Sequence, residues 1–311
     1  MKKVFLLFLS TIIYAKILIV NSYSTKDQCG IPQLNGFLSV MYSHGYRPSD
    51  FDIVFLNSRV TSKEKLIKKA KNILKNIKNY KFIVTFDDIA FKLVGIPASK
   101  KGKWVYFSGV NYPYDLYEKE YNLPKNIAGI YEKLFIYELF KTFDKIKKIK
   151  KIAFIYSKGV GEIVKIQLKR EVKDTKFEKM IDYLEVNNIK DLKNLLVKIN
   201  KKYTLFMPFA LSLKNKNKKL AFLDFKDIYL KYLKLPDISF NPNFAKFGFL
   251  GFGGVDFFEM GVQLGKLVIF HKKRHIIEDA KYFEYFINTK RAREINFVLP
   301  KWFIRKVSKF Y

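Results

Sequence analysis

Two hydrophobic periods recur along the chain. One is the short continuous apolar run, the other a longer stretch with apolar residues three and four apart. Lys16–Asn21 (KILIVN), Asp52–Leu56, Lys81–Phe86 (KFIVTF) and Trp104–Phe107 read as buried strands. Ile31–His44 and Ser62–Lys78, lying between them, read as helices. In the second helix Leu66, Ile67, Ala70, Ile73, Leu74 and Ile77 share a face and the lysines take the other. Regular alternation of strand and helix predicts a parallel sheet with right-handed crossovers. The series then restarts. Tyr131–Phe143 reads as a helix, and Lys151–Tyr156 (KIAFIY), Tyr203–Met207 and Ile238–Phe240 as strands. Further helices are expected near Glu178–Glu185, Asp191–Ile199 and Phe222–Leu233. A glycine-rich strand near Gly248–Val255 leads into a helix over Asp256–Phe270. Short strands at Tyr282–Phe286 and Ile295–Val298 and a helix after Pro300 close the chain. Two α/β series without a Pro/Gly/Ser-rich linker predict two lobes with parallel sheets, joined by a hinge.

The first residues break this pattern. Lys2 and Lys3 precede an uncharged, apolar-rich run from Val4 to Tyr14, and Ala15 follows. That is the layout of a secretory signal peptide spanning 1–15, cut before Lys16. The run is too short for a stable membrane anchor. The expected location is the periplasm, reached by secretion across the inner membrane. The lone Cys29 allows no internal disulfide.

Composition changes the picture less than its extremes suggest. The 311-residue chain carries a net charge of +31, which points towards an acidic partner. Yet only seven of the 59 basic residues are arginine, the side chain that reads nucleic acid bidentately. The lysines spread over helix faces and form no single basic segment. A nucleic-acid or surface-binding role is the weaker alternative, and no nucleic-acid partner is expected. A content of 17% aromatic residues supports sizeable cores.

In parallel sheets ligands bind beyond the carboxyl ends of the strands. The residues at those ends are Ser22 and Tyr23, Asp87 and Asp88, Ser108 and Asn111, Ser157, and Phe209. Hydroxyls, aromatic rings and a carboxylate pair suit a small polar or zwitterionic ligand, such as an amino acid or a small aromatic compound. Asp87 has a second reading as a helix N-cap. Adjacent Asp87 and Asp88 do not face one point, so no acid–base pair and no enzyme activity is expected. No glycine-rich phosphate loop opens a helix after the first strand, and no cofactor is expected. Gly253 and Gly254 read as a place of close backbone packing. His271 and His275 are separated by Lys272, Lys273 and Arg274, whose charge disfavours a metal.

The runs NSYS at 21–24, TFDD at 85–88, FSGVN at 107–111, AGIYE at 128–132 and GFLGFGGVDFFEMGVQLGKL at 248–267 occur in order along the chain. Together they resemble the ABC transporter substrate-binding protein family of type I periplasmic binding fold. They are also similar to the extracytoplasmic sensor regions of some histidine kinases. The resemblance implies a secreted binding protein whose two Rossmann-like lobes close on a small solute. One lobe would hold 16–129 plus about 253–285, the other 130–252 plus about 286–311. It would act as a monomer, delivering ligand to an ABC permease or, alternatively, signalling through a membrane sensor kinase. One departure stands out, because Cys29 occupies a position where the family often has Trp.

Overall fold

The computed structural model describes residues 15–27, 29–207, 213–215, 218–220 and 224–311. The expected signal segment lies almost wholly outside these residues. The first series follows the hydrophobic pattern closely. It comprises β1 (Ile17–Asn21), α1 (Gly30–Ser43), β2 (Phe51–Phe55), α2 (Lys63–Lys75) and β3 (Ile83–Phe86). A continuous helical stretch follows, α3 (Asp87–Ala90), a π-helical turn (Phe91–Gly95) and α4 (Ile96–Lys100). Next come β4 (Val105–Val110), α5 (Tyr114–Tyr121) and β5 (Ile127–Tyr131). The strands form one parallel sheet in the order β2-β1-β3-β4-β5, so the order reverses between β1 and β3.

The second series holds α6 (Ile136–Ile146), β6 (Ile152–Tyr156), α7 (Val160–Val172), β7 (Ile181–Glu185), α8 (Ile189–Lys202) and β8 (Leu205–Met207). Then come a small antiparallel hairpin, β9 (Leu213–Asn215) and β10 (Lys218–Leu220), and the helices α9 (Lys226–Tyr232) and α10 (Pro242–Lys246). The chain ends with β11 (Gly251–Val255), α11 (Phe257–Phe270), β12 (Ile277–Asp279), β13 (Phe283–Ile287), α12 (Thr289–Glu294), α13 (Lys301–Ile304) and β14 (Val307–Phe310). Strands β7, β6 and β8 pair in parallel, and β11, β13 and β14 form a second ribbon. Single bridges at Asp237 and Ser239 join the two groups. Strand β12 returns to the first sheet, parallel to β5. The chain therefore passes between the lobes three times, at 132–135, at 256 and at 280–282.

Several expectations need correction. Glu178–Glu185 is no helix: a short 3-10 turn leads into β7, whose half-exposed edge position leaves no continuous apolar run to reveal it. Ile238–Phe240 is reduced to bridges, because Asp237 turns its carboxylate to the amides of Leu250 and Gly251. Ile295–Val298 is a loop that plugs Phe297 into the core, and the edge strand is β14. Tyr131 ends a strand, and its helix begins at Ile136. The second sheet is not wholly parallel. Strand β13 enters directly from the first lobe without a crossover helix and runs antiparallel to β11.

Each sheet has apolar side chains packed on both faces, giving four core clusters. Helices α1 and α11 cover one face of the first sheet and touch through glycine. A Cβ on Gly36 would lie 2.0 Å from Phe258 O, and one on Gly261 the same distance from Gln33 O. The expected close backbone packing at Gly254 is present, since a Cβ there would meet Phe240 O at 2.0 Å.

Candidate functional site

The strand order reverses between β1 and β3, and Ser22, Tyr23, Asp87, Asp88, Ser108 and Asn111 lie at or just beyond the carboxyl ends of β1, β3 and β4. Asn21 ends β1. Its side-chain amide donates to Gly30 O at 3.1 Å, and its oxygen accepts the Tyr23 N–H at 3.0 Å. This aims Tyr23 across the mouth of α1. Ser22 is fully buried; its hydroxyl donates to Phe86 O and accepts from Ala90 N, each at 2.8 Å. It thereby stitches β1 to β3 and satisfies an amide in the first turn of α3, with no donor left over.

Asp87 adopts a left-handed backbone, φ 73°, which Asp tolerates better than most residues. It is the first residue of α3, not its N-cap, and its Oδ1 accepts the next amide at 2.8 Å. Its carboxyl is buried and pushed up to about 8, chiefly by burial and then by the charge of Asp88, against a stabilising hydrogen bond from the Tyr23 hydroxyl. Asp88 points elsewhere. It accepts the amides of Asn111 and Tyr112 at 3.0 and 3.1 Å and the Tyr117 hydroxyl at 2.9 Å, pinning the loop after β4.

Asn111 Nδ2 donates to Glu132 Oε2 at 3.1 Å, which brings in a residue absent from the predicted set. Glu132 follows β5 directly. Reading β5 as a strand would have exposed it by the same strand-end rule. Burial, then the charges of Asp87 and Asp88, hold its carboxyl well above the usual range. Cys29, at the start of α1, lies in the electrostatic reach of Asp87 and Glu132, and burial raises its thiol. Its sulfur accepts from Asn241 Nδ2 at 2.9 Å, a contact that reaches from the second lobe to the first.

The nearby cation is already committed. Arg59 stacks 4.5 Å over the Tyr23 ring and pairs with Asp27 at 3.0 Å. Asp27 itself accepts the amides of Cys29 and Gly30. Neither Asp87 nor Glu132 has an ion-pair partner among the described residues. Ser108 is buried and donates to Gln33 Oε1 at 3.0 Å, behind the carboxylates. Ser157 is buried just after β6 in the second lobe. Phe209 lies outside the described residues.

Known structures share this architecture. A Streptococcus pneumoniae ABC domain in complex with L-Trp superposes with TM-score 0.69 at 16% identity, over 96% of this chain and 99% of that one. The chain has the fold of the type I periplasmic binding proteins. A ligand-free, open substrate-binding protein with adhesive properties from Clostridium difficile matches at TM-score 0.68 and 12% identity, over 95% and 99% of the two chains. A solute-binding protein of an R. palustris ABC transporter in complex with benzoate matches at 0.55 and 15%, over 82% and 79%. No family profile and no curated protein matches the sequence. Among the described residues no helix is long and apolar enough to cross a membrane.

Proposed function

We propose that this protein is an extracytoplasmic solute-binding protein that captures a small ligand carrying an ammonium group, such as an amino acid. The observation that carries this reading is the pair of buried carboxyls, Asp87 and Glu132, neither of which has an ion-pair partner among the described residues. Burying such groups unpaired is costly, and a cationic ligand relieves that cost. Tyr23 supplies an aromatic wall. Ser22, Asp88 and Ser108 hold the frame, and Asn111 orients Glu132. The two lobes hinge at the three passes. Asn241 and Ser157 bring the second lobe to the ligand. A ligand bridging both lobes favours the closed form by its differential affinity.

The apolar segment at 4–14 supports export to the periplasm. The ABC-transporter neighbours support delivery to a permease, with capture and not conversion as the task. A thermal-shift panel of amino acids and amines on the purified protein tests the reading. Stabilisation by at least one ammonium-bearing compound is expected, and Asp87→Asn and Glu132→Gln should each remove it. Wild-type affinity in both variants, or a preference for ligands without a cationic group, would sink the proposal.

A further inference from the structure

Beside the first pass between the lobes lies a second cavity of about 410 Å3 that shares no side chain with the cluster above. Its walls come from both lobes. Tyr131 and Asp279 are register partners at the ends of β5 and β12, while Gln167 and Glu171 belong to α7. Lys133 and Glu138 come from the pass itself and α6.

Each of its donor side chains already has a partner. Lys133 Nζ donates to Glu138 Oε1 at 2.8 Å. The Arg170 guanidinium is held bidentately by Asp115 at 2.7 and 3.0 Å. The Tyr131 hydroxyl donates to Asn111 O at 2.8 Å, and Gln167 Nε2 donates to Glu132 O. Its acceptors are not spent. Gln167 is 2% exposed, and its Oε1 is buried without a hydrogen-bond partner, as is Glu138 Oε2. At the rim, the exposed Asp279 carboxylate has no ion-pair partner among the described residues. Buried acceptors without donors are rare because each forfeits its hydration, so two in one cavity point to a missing donor. Among the described residues no group of three or more metal-ligating side chains is assembled, which favours an organic donor.

We infer that this cavity is a second binding site, for a small organic diamine. One ammonium meets Gln167 Oε1 and Glu138 Oε2, the other the Asp279 rim, and Tyr137 forms an apolar wall. Such a ligand contacts elements of both lobes at the hinge, so its binding is coupled to closure.

The probe is 1,4-diaminobutane, titrated by calorimetry at physiological salt into the wild-type protein and into Asp87→Asn. The chain's charge of +31 disfavours non-specific uptake of a cation, so a saturable isotherm reports a built site. Binding is expected in both proteins. It should weaken by about tenfold or more in Glu138→Gln, a partly exposed position where volume is kept, and disappear in Gln167→Leu. Absence of saturable binding at millimolar diamine would overturn the inference. So would an affinity unchanged in Glu138→Gln, or binding lost in Asp87→Asn, which would assign the diamine to the first cluster.

Discussion

At the residue scale, the buried Asp87 makes stability depend on pH. An acid whose folded pKa lies above its unfolded value binds more protons folded than unfolded. It therefore stabilises the fold below its ordinary pKa and loses that contribution as pH rises through about 8. Asp87→Asn should make the ligand-free protein more stable than wild type at pH 8 while abolishing binding of an ammonium ligand. Asn also tolerates the left-handed backbone, so a stability loss would not come from strain. Chemical denaturation at two pH values checks this. An ammonium ligand prefers the ionised carboxylate, so wild-type affinity should rise with pH and level off above about 8, with proton release on binding below that. Calorimetry in buffers of different ionisation enthalpy reads the release. A flat profile would show that Asp87 does not meet the cation.

At the element scale, a serine just after β1 and glycines in two helices carry the frame. Ser22→Ala deletes a bond to Phe86 O and leaves the buried Ala90 amide without its acceptor. A loss of roughly 1–3 kcal/mol is expected, measured by urea denaturation. Gly36→Ala places a methyl 2.0 Å from the Phe258 carbonyl, which belongs to a helix backbone and cannot step aside. Helices α1 and α11 must separate, and a drop in Tm larger than that of Ser22→Ala is expected. An unchanged Tm would mean that the contact of α1 and α11 is looser than described.

At the scale of the whole molecule, the buried Asp87 and Asp237 and the partly buried Glu171 act in the same direction. Glu171 accepts the amides of Leu134 and Ile136 at the first pass and is raised to about 7 by burial. Burial raises Asp237 to about 7 as well. With Asp87, these contributions are present below the ordinary carboxylate range and lost as pH rises through about 7 to 8. Ligand-free stability should therefore decline from about pH 5 to pH 8, and a thermal-unfolding series checks the slope. Self-repulsion from a charge of +31 also destabilises the fold, so moderate salt should raise Tm.

Much of the architecture was legible in the sequence, because continuous apolar runs mark strands buried on both faces and a helical period marks their covers. In the first lobe β1, α1, β2, α2, β3 and β4 were read for that reason, as was α11, whereas α5 and β5 were not. Strands β7, β12 and β14 were not, because an edge strand needs only a few apolar residues and leaves no run. Of the eight strand-end residues that could be named, seven lie among the described residues. Their division of labour could not be named: Ser22 and Asp88 spend their polar atoms on the frame, while Asp87 keeps a carboxyl uncompensated. Only the packed chain decided that Glu132 joins Asp87, that Arg59 is committed to Asp27, and that Cys29 meets Asn241 from the other lobe. Sequence spacing encodes local geometry and burial. Which charge is left unpaired depends on partners tens to hundreds of residues away, and that is a property of the tertiary fold.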